Sequence, residues 1–283
     1  MKNVLKMFRK NKLGVIGLVI FVFFVLVAIF ADAIAPYDPM EIQFFAEGGV
    51  KRLQPPSVEH WLGTTYMGRD VFSQMVIGSR VAVLVGCISA VCVAFIGTNV
   101  GLIAGYFGGK VDRILMGIVD VMYGLPFLPF ALILVSVLGP GVQNVILAIV
   151  LITWRNSSRV IRSQVLSLKN RTFIEAAKLS GASDGRVLYK HIAPNVVPVS
   201  LIYVSTSMAS AIMSESSISF LGLGDPMQVS WGRILFTCYS SQAMFKAPWW
   251  ILPPGIAITM LVLSGYMMGR AFEEIANPRL KER

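Results

Sequence analysis

The sequence predicts an all-α, polytopic membrane protein with about six transmembrane helices and with the N- and C-termini in the cytoplasm. Of the 283 residues, 55% are hydrophobic and 14% are charged, and the mean hydropathy is +0.69. This composition is more apolar than that of a typical soluble domain. The apolar residues are gathered into long runs, and the basic residues fall mainly in alternate connecting segments.

Six apolar runs are candidates for membrane spans, because a bilayer core of about 30 Å needs roughly 20 residues of helix. The first run lacks a following cleavage site of small residues, so we expect a retained span and not a signal peptide. The fourth run is the weakest, because polar residues follow directly after Trp154. The six runs lie at about 13–34, 82–105, 114–138, 142–158, 197–222 and 250–269.

The distribution of the basic residues predicts the orientation. With six spans, nineteen of the 25 Lys and Arg residues fall on one side of the membrane, and the positive-inside rule assigns that side to the cytoplasm. The net charge of +10 is spread between the apolar runs, so we expect no nucleic-acid partner. Two outer segments, at about 35–80 and 223–249, are rich in Pro, Gly and Trp.

The sequence of residues 171–195, between the fourth and fifth runs, predicts a helix-turn-helix at the cytoplasmic membrane surface. Thr172 can cap a helix, and Glu175 three residues later can complete a capping box. Ala176 and Ala177 then share a face whose small side chains allow the backbone of a partner to approach closely.

The turn and the second helix are indicated by residues with known end preferences. Gly181 can end the first helix in a conformation that favours glycine. Ser183 or Asp184 can cap the second helix, and Pro194 is expected to end it. Because this helix pair carries no catalytic chemistry, we interpret it as a docking surface.

This segment resembles the EAA loop in the permease subunits of bacterial ABC importers. The resemblance rests on residue types and their spacing, at Glu175, Ala176, Ala177, Gly181, Ile192 and Pro194. In that family the loop docks into a groove on the ATPase subunit and transmits its closure. The resemblance therefore implies that these six residues couple this chain to an ATPase.

Other stretches resemble the second, C-type permease of the dipeptide, oligopeptide and nickel branch of that family. They are His-Trp-Leu-Gly-Thr at 60–64, Gly-Arg-Asp-Val-Phe-Ser at 68–73, Ser-Phe-Leu-Gly-Leu-Gly at 219–224, Trp-Gly at 231–232, Trp-Trp at 249–250, Pro-Pro-Gly at 253–255 and Asn-Pro-Arg-Leu at 277–280. The chain departs from the branch at Arg270 and Asn277, where Asp is usual. No role of an Asp at those positions is carried over.

The resemblance implies a transport subunit of the bacterial plasma (inner) membrane and not an enzyme. Its implied partners are a second homologous permease subunit, two ATP-binding ATPase subunits, an extracytoplasmic substrate-binding protein and the lipid bilayer. No cofactor is expected on this chain, since ATP and Mg belong to the ATPase subunits. The expected cargo is di- or oligopeptides, with nickel or another chelated metal as the alternative.

The resemblance also divides the chain into two parts. Residues 1–80 are expected to form an N-terminal tail, the first transmembrane helix and an outer segment. Residues 81–283 are expected to form the permease core, with the coupling loop at about 171–195.

Two ionisable residues inside the predicted spans are candidates for the pathway or its gate, because such groups usually face a protein interior or a water-filled path. Glu215 lies mid-span among serines, and it either lines the pathway or bonds to a neighbouring helix. Asp120 shares roughly one helical face with Asp112 and Arg113, so a structural pairing competes with substrate contact.

Small residues and prolines predict how the spans pack. Gly97, Gly101 and Gly105 repeat every four residues and form a smooth stripe suited to close helix contact. Pro126 and Pro129 are expected to bend the third span, which membranes tolerate where neighbours satisfy the freed carbonyls.

Other functional classes lack their motifs. The P-loop pattern Gly-x-x-x-x-Gly-Lys-Ser/Thr does not occur in the sequence, so another chain must hydrolyse ATP. The His-Glu-x-x-His motif and the paired intramembrane aspartates of intramembrane enzymes are also missing, and a secondary transporter would leave the helix pair at Glu175 without a purpose. His60 and His191 fall on opposite sides of the membrane in this topology, so they cannot share a metal.

Overall fold

The computed structural model describes Phe8 and residues 11–276, and over these residues the chain is helical, with isolated β-bridges but no strand. The helices are α1 (Lys12–Ile29), α2 (Ala31–Ile34), α3 (Val71–Phe107), α4 (Gly109–Gly124), α5 (Phe127–Leu138), α6 (Val142–Thr153), α7 (Arg155–Leu168), α8 (Thr172–Leu179), α9 (Asp184–Arg186), α10 (Ala193–Ile218), α11 (Trp231–Ser240) and α12 (Pro248–Ala276). The predicted all-α class is confirmed. The motif at 277–280 lies outside the described residues.

Four helical segments are long and apolar enough to cross a membrane: α1, α3, α12 and the continuous stretch from α9 to Leu223. The α4–α5 pair qualifies as a fifth, broken span. Helix α6 has only 12 residues before Trp154 interrupts it, which is short for a span. A polytopic membrane protein is thus confirmed, while the count of six and the cytoplasmic side of the termini stay predictions.

The centre of the molecule is the contact of α3 with α10, flanked by α7 on α3 and by α12 between α10 and α1. The glycine stripe of α3 faces α7. A Cβ added at Gly101 would lie 2.6 Å from the carbonyl oxygen of Ser158, and one added at Gly105 would lie 2.7 Å from the Cβ of Val165. The predicted close contact is confirmed, because these two helices approach as only glycine permits.

The third predicted span is broken, and its two halves meet at 90°. The break falls at Leu125 and Pro126, and Pro126 is the extended N-cap residue directly before α5. Arg155, at the start of α7, donates from Nη1 to the carbonyl oxygens of Met122 and Leu125, the latter at 3.4 Å. The expected bend is confirmed, and a guanidinium from a neighbouring helix satisfies carbonyls that the break leaves free.

The outer segment before α3 is fastened to the start of that helix by Asp70. One Asp70 carboxylate oxygen accepts hydrogen bonds from the backbone N–H and the hydroxyl of Ser73, at 2.7 and 2.8 Å. The other oxygen lies 3.0 Å from Nδ1 of His60, and both His60 and Asp70 are buried. Asp70 is therefore the cap of α3, which begins well before the apolar run that predicted it.

We expect Gly101→Ala to destabilise the protein, because the added methyl group meets the α7 backbone, which cannot move as a flexible side chain can. The expected cost is about 1–3 kcal/mol, seen as a fall of several degrees in the melting temperature of the purified protein. The matched control is Gly117→Ala in α4, where nothing lies within 4 Å of an added Cβ. A Gly101→Ala protein that melts like wild type would contradict the packing of α3 on α7.

Candidate functional site

The first helix of the cytoplasmic segment, α8, forms where it was expected but without the predicted capping box. Thr172 is the first helical residue, Arg171 occupies the cap position, and no side chain bonds to the free N–H groups. Instead, the carbonyl oxygen of Arg171 accepts from the N–H groups of Ile174 and Glu175, at 2.9 and 3.2 Å. The prediction failed because Thr172 already has helical geometry, which is incompatible with the cap position.

Gly181 ends α8 as predicted. Its φ is +79°, a conformation that favours glycine. The N–H of Gly181 donates to the carbonyl oxygen of Lys178 at 2.9 Å, and the N–H of Ala182 donates to that of Ala177 at 3.1 Å. These bonds satisfy two carbonyls at the end of the helix.

The second helix does not end at Pro194, which corrects the sequence-based expectation. Helix α9 passes through a π-helical turn, Val187–Ile192, directly into α10, and Pro194 lies in the first turn of α10. A π-helical turn carries an extra residue and is therefore wider than a regular helical turn. The wider turn leaves room for the proline ring, which in a regular helix would clash with the carbonyl group four residues earlier. The second half of this segment, from Asp184, and the fifth predicted span are therefore one continuous helical stretch.

A buried apolar cluster holds this segment against the membrane helices. Ile174 of α8 and Ile192 of the π-helical turn are fully buried. They pack with side chains from α3, α7 and the turn itself, namely Leu102, Tyr106, Ile161, Val165, Val187 and Leu188. The cluster therefore packs both halves of the segment directly on the α3–α7 pair.

A polar contact adds to this attachment at the end of α3. The hydroxyl of Tyr106 donates to Oδ1 of Asp184 at 2.6 Å, and Nζ of Lys178 lies 5.1 Å from the centre of the Tyr106 ring. One aromatic side chain thus contacts both α8 and α9.

The residues expected to couple to a partner divide into two groups. Glu175, Ala176, Gly181 and Pro194 are exposed, and Ala177 is half-buried. Ile192 is buried in the apolar cluster, so its side chain supports the segment and does not face its outer surface.

Two apolar side chains lie on the same exposed surface, and the sequence analysis missed one of them, Leu179. Leu179 is 89% exposed and Phe173 is 44% exposed, and both belong to α8. Leu179 lies one turn after Glu175 and Ala176 on the exposed side of α8, so its side chain extends that surface. The signal available in the sequence was a leucine in the last turn before Gly181.

Glu215 lies near the outer end of α10 and is 3% exposed. Its Oε1 accepts a hydrogen bond from the hydroxyl of Ser219 at 2.7 Å, and its Oε2 from that of Ser216 at 3.4 Å. It also lines a cavity of about 10 Å³ together with Asp225 and Ser230 of the following loop, which is room for about one water molecule. The carboxylate is enclosed by its own chain.

Asp120 is bound to a different helix from the one the sequence suggested. Its carboxylate pairs with the guanidinium of Arg159 on α7 and not with Arg113 on its own helix. About two turns earlier in α4, Asp112 receives two bonds of 2.5 Å from Arg162. Two ion pairs therefore join α4 to α7. The side chain of Asp120 remains largely exposed although it forms one of these pairs.

The described part of the chain contains no group of three or more His, Cys, Asp or Glu side chains that could hold a metal. His60 is enclosed in the outer segment, whereas His191 belongs to the π-helical turn near the cytoplasmic surface. The candidate residues therefore comprise an exposed surface on the 171–195 segment, an enclosed carboxylate at Glu215 and a largely exposed carboxylate at Asp120.

Comparison with known proteins gives two family matches that together cover most of the chain. Residues 97–282 match a family described as binding-protein-dependent transport system inner membrane component. Residues 1–56 match the N-terminal TM domain of oligopeptide transport permease C.

Curated relatives match over nearly the full length. The chain is 36% identical to the dipeptide transport system permease protein DppC of Alkalihalophilus pseudofirmus, over 99% of this chain and 90% of that protein. It is 33% identical to the oligopeptide transport system permease protein OppC of Bacillus subtilis, with the same coverage. It is 34% identical to the glutathione transport system permease protein GsiD of Escherichia coli, over 97% and 89%.

We expect a cysteine introduced at the exposed position Ser183 to react with a membrane-impermeant maleimide only from the cytoplasmic side. The matched control is Val58→Cys in the outer segment, 94% exposed, which should react only from outside. Native Cys238 gives little background, because burial raises the pKa of its thiol to about 11 and the reactive thiolate forms only as the pH approaches that value. Labelling of Ser183→Cys from outside intact cells would reverse the predicted orientation.

Proposed function

Because this chain belongs to the family of binding-protein-dependent transport system inner membrane components, we propose that it is the C-type permease subunit of an ABC importer for di- or oligopeptides. The observation that carries the proposal is the cytoplasmic segment 171–195. It presents an exposed small-residue surface and is continuous with a membrane-spanning helix. Such a surface fits a partner that drives the transporter and has no use in a secondary carrier.

The proposed partners follow from the family and from the surfaces on the chain. A second homologous permease forms the pathway with this subunit, and an extracytoplasmic binding protein delivers the cargo to the outer segments. Two ATPase subunits, which carry ATP and Mg, dock on Glu175, Ala176, Ala177, Gly181 and Pro194. This chain contributes no catalytic residue and no cofactor.

We favour peptides over nickel as the cargo. The relatives reported above are named for dipeptide, oligopeptide and glutathione transport. The division into residues 1–80 and a core at 81–283 is also part of the proposal, and the two family matches, at 1–56 and 97–282, support it.

The proposed coupling works by movement and not by covalent chemistry. Closure of the ATPase subunits displaces α8 and α9, and the buried cluster around Ile174 and Ile192 passes the displacement to α3 and α7. The continuous helix carries it towards Glu215. This is a rigid-body switch in which packed elements shift together.

We expect Gly181→Asp to weaken binding of the ATPase subunits and to lower peptide uptake strongly, while the membrane protein itself is retained. The left-handed backbone at Gly181 disfavours any side chain, at a cost of roughly 1 kcal/mol, and the added carboxylate projects from the docking surface. The measurement is copurification of the ATPase subunits together with uptake of a labelled dipeptide in reconstituted vesicles.

The matched control for this experiment compares Gly181→Ala with Gly185→Ala. Gly185 lies in α9, has a helical backbone and has nothing within 4 Å of an added Cβ, so only the variant at Gly181 should lose binding. Full uptake and full ATPase binding in Gly181→Asp would refute the coupling role. Uptake by a permease purified without any ATPase would favour a secondary transporter instead.

We propose that Glu215 fastens the loop after α10 and does not itself contact the cargo. On that basis Glu215→Gln should assemble and transport nearly as wild type, since the amide keeps the volume and can still bond to Ser216 and Ser219. Glu215→Ala should lower the melting temperature, because it leaves a cavity and removes the partner of the buried Ser219 hydroxyl. An assembled Glu215→Gln complex with strongly reduced uptake would show that ionisation in the pathway matters.

A further inference from the structure

Three outer stretches that the coupling mechanism does not use meet at one cavity. Arg69 comes from the segment before α3, Arg233 from α11 and Trp250 from the start of α12, and all three line a cavity of about 30 Å³. By comparison, one water molecule needs about 10–15 Å³ of such space. The cavity therefore holds about two waters or a single group of carboxylate size.

The charges at this cavity are positive and are not neutralised by nearby acids. Arg69 makes no ion pair within the described residues. Arg233 donates from Nη1 to the backbone carbonyl of Asp225 at 2.9 Å. Burial and the neighbouring charge of Arg69 lower the pKa of Arg233, and the carboxylate of Asp225 offsets this only partly.

The guanidinium of Arg80, in contrast, is neutralised by a carboxylate of this chain. Arg80 donates two bonds to the carboxylate of Asp32, at 2.8 and 2.7 Å. This bidentate pair holds the pKa of Asp32 below its usual value. Neither arginine at the cavity has such a partner, so a carboxylate supplied from outside the chain is the group that they lack.

Buried hydrogen-bond donors at the cavity also lack acceptors to pair with. Nε of Arg69 and the indole nitrogen of Trp250 are both buried and have no hydrogen-bond partner. The side-chain amide of Gln74, which also lines the cavity, is already engaged with the carbonyl of Pro39 at 2.9 Å. Buried donors without partners are rare in native proteins, and an acceptor that carries no proton satisfies several of them together.

We propose that this cavity, formed by Arg69, Arg233 and Trp250, binds the terminal carboxylate of the peptide cargo on the outer side of the membrane. The proposal rests on the proposed function, since it assumes that peptides are the cargo. The cavity takes one small anionic group in a recess, and in a peptide that group lies at the end of the chain. The two guanidiniums supply the charge and the indole N–H supplies a further donor.

The first test compares two cargoes, a labelled dipeptide with a free carboxylate and its C-terminal amide, in vesicles that contain the complete transporter. For each cargo, the uptake KM of Arg69→Gln and of Arg233→Gln is divided by that of wild type. We expect a ratio of about ten for the acid and about one for the amide. The preference of the binding protein cancels, because each ratio uses the same binding protein and the same cargo.

The matched control is Arg52→Gln, also in the outer segment. Arg52 is exposed and its guanidinium lies 5.3 Å from the Tyr66 ring, away from the cavity, so both ratios should stay near one. Equal ratios for acid and amide in the cavity variants would overturn the proposal. If the variants instead lose binding-protein-stimulated ATP hydrolysis with both cargoes alike, the arginines hold the binding protein and the proposal is wrong.

The second test does not depend on transport. Acetate should raise the melting temperature of the wild-type complex above that in chloride of equal ionic strength, and the difference should vanish in Arg69→Gln and Arg233→Gln. No difference in wild type would overturn the site. A wild-type complex that responds to acetate but imports neither cargo would refute peptide import and leave the carboxylate site standing.

Discussion

The close contact of α7 with the glycine stripe of α3 is the constraint on which most of the molecule depends. One face of α7 lies on Gly97, Gly101 and Gly105. Further side chains of the same helix bond to α4 through two ion pairs, reach the break before α5 and complete the apolar cluster beneath the cytoplasmic segment. A short amphipathic helix thus links the broken span to the coupling segment. Association of helices in a bilayer relies on packing and polar contacts. Loosening the contact of α7 with α3 would therefore disturb both the broken span and the segment 171–195.

Hydropathy predicted the helical class and the central parts of the long spans, since apolar runs of that length have few other structures available in a membrane. It did not predict where α3 begins, because its first turns mix apolar residues with Ser73, Gln74 and Arg80 and its start is set by the cap at Asp70. Hydropathy also did not predict that the helix continues through Pro194. The π-helical turn that accommodates this proline depends on packing beneath Val187 and Ile192, which a local pattern does not reveal.

The exposed part of the coupling surface could be predicted from its motif, because Glu175, Ala176 and Gly181 lie close together in the sequence. Contacts between distant residues could not. The partner of Asp120 is on another helix, and the enclosure of Glu215 depends on the loop that follows α10. The cavity at Arg69 and Arg233 was hidden for the same reason, since its parts belong to separate outer stretches whose meeting only the tertiary fold creates.

The π-helical turn between α9 and α10 also fixes a rotational phase. Each residue of an α-helix turns the chain by about 100°, so the one extra residue of a π turn sets the angle between the face that carries the docking surface and the face that carries Glu215. Conversion of this turn to regular helix would swing one face around the axis relative to the other. In the proposed coupling, the helical stretch that begins at Asp184 would therefore transmit an orientation as well as a displacement, so that the end with the docking surface acts on the end with Glu215 by twisting.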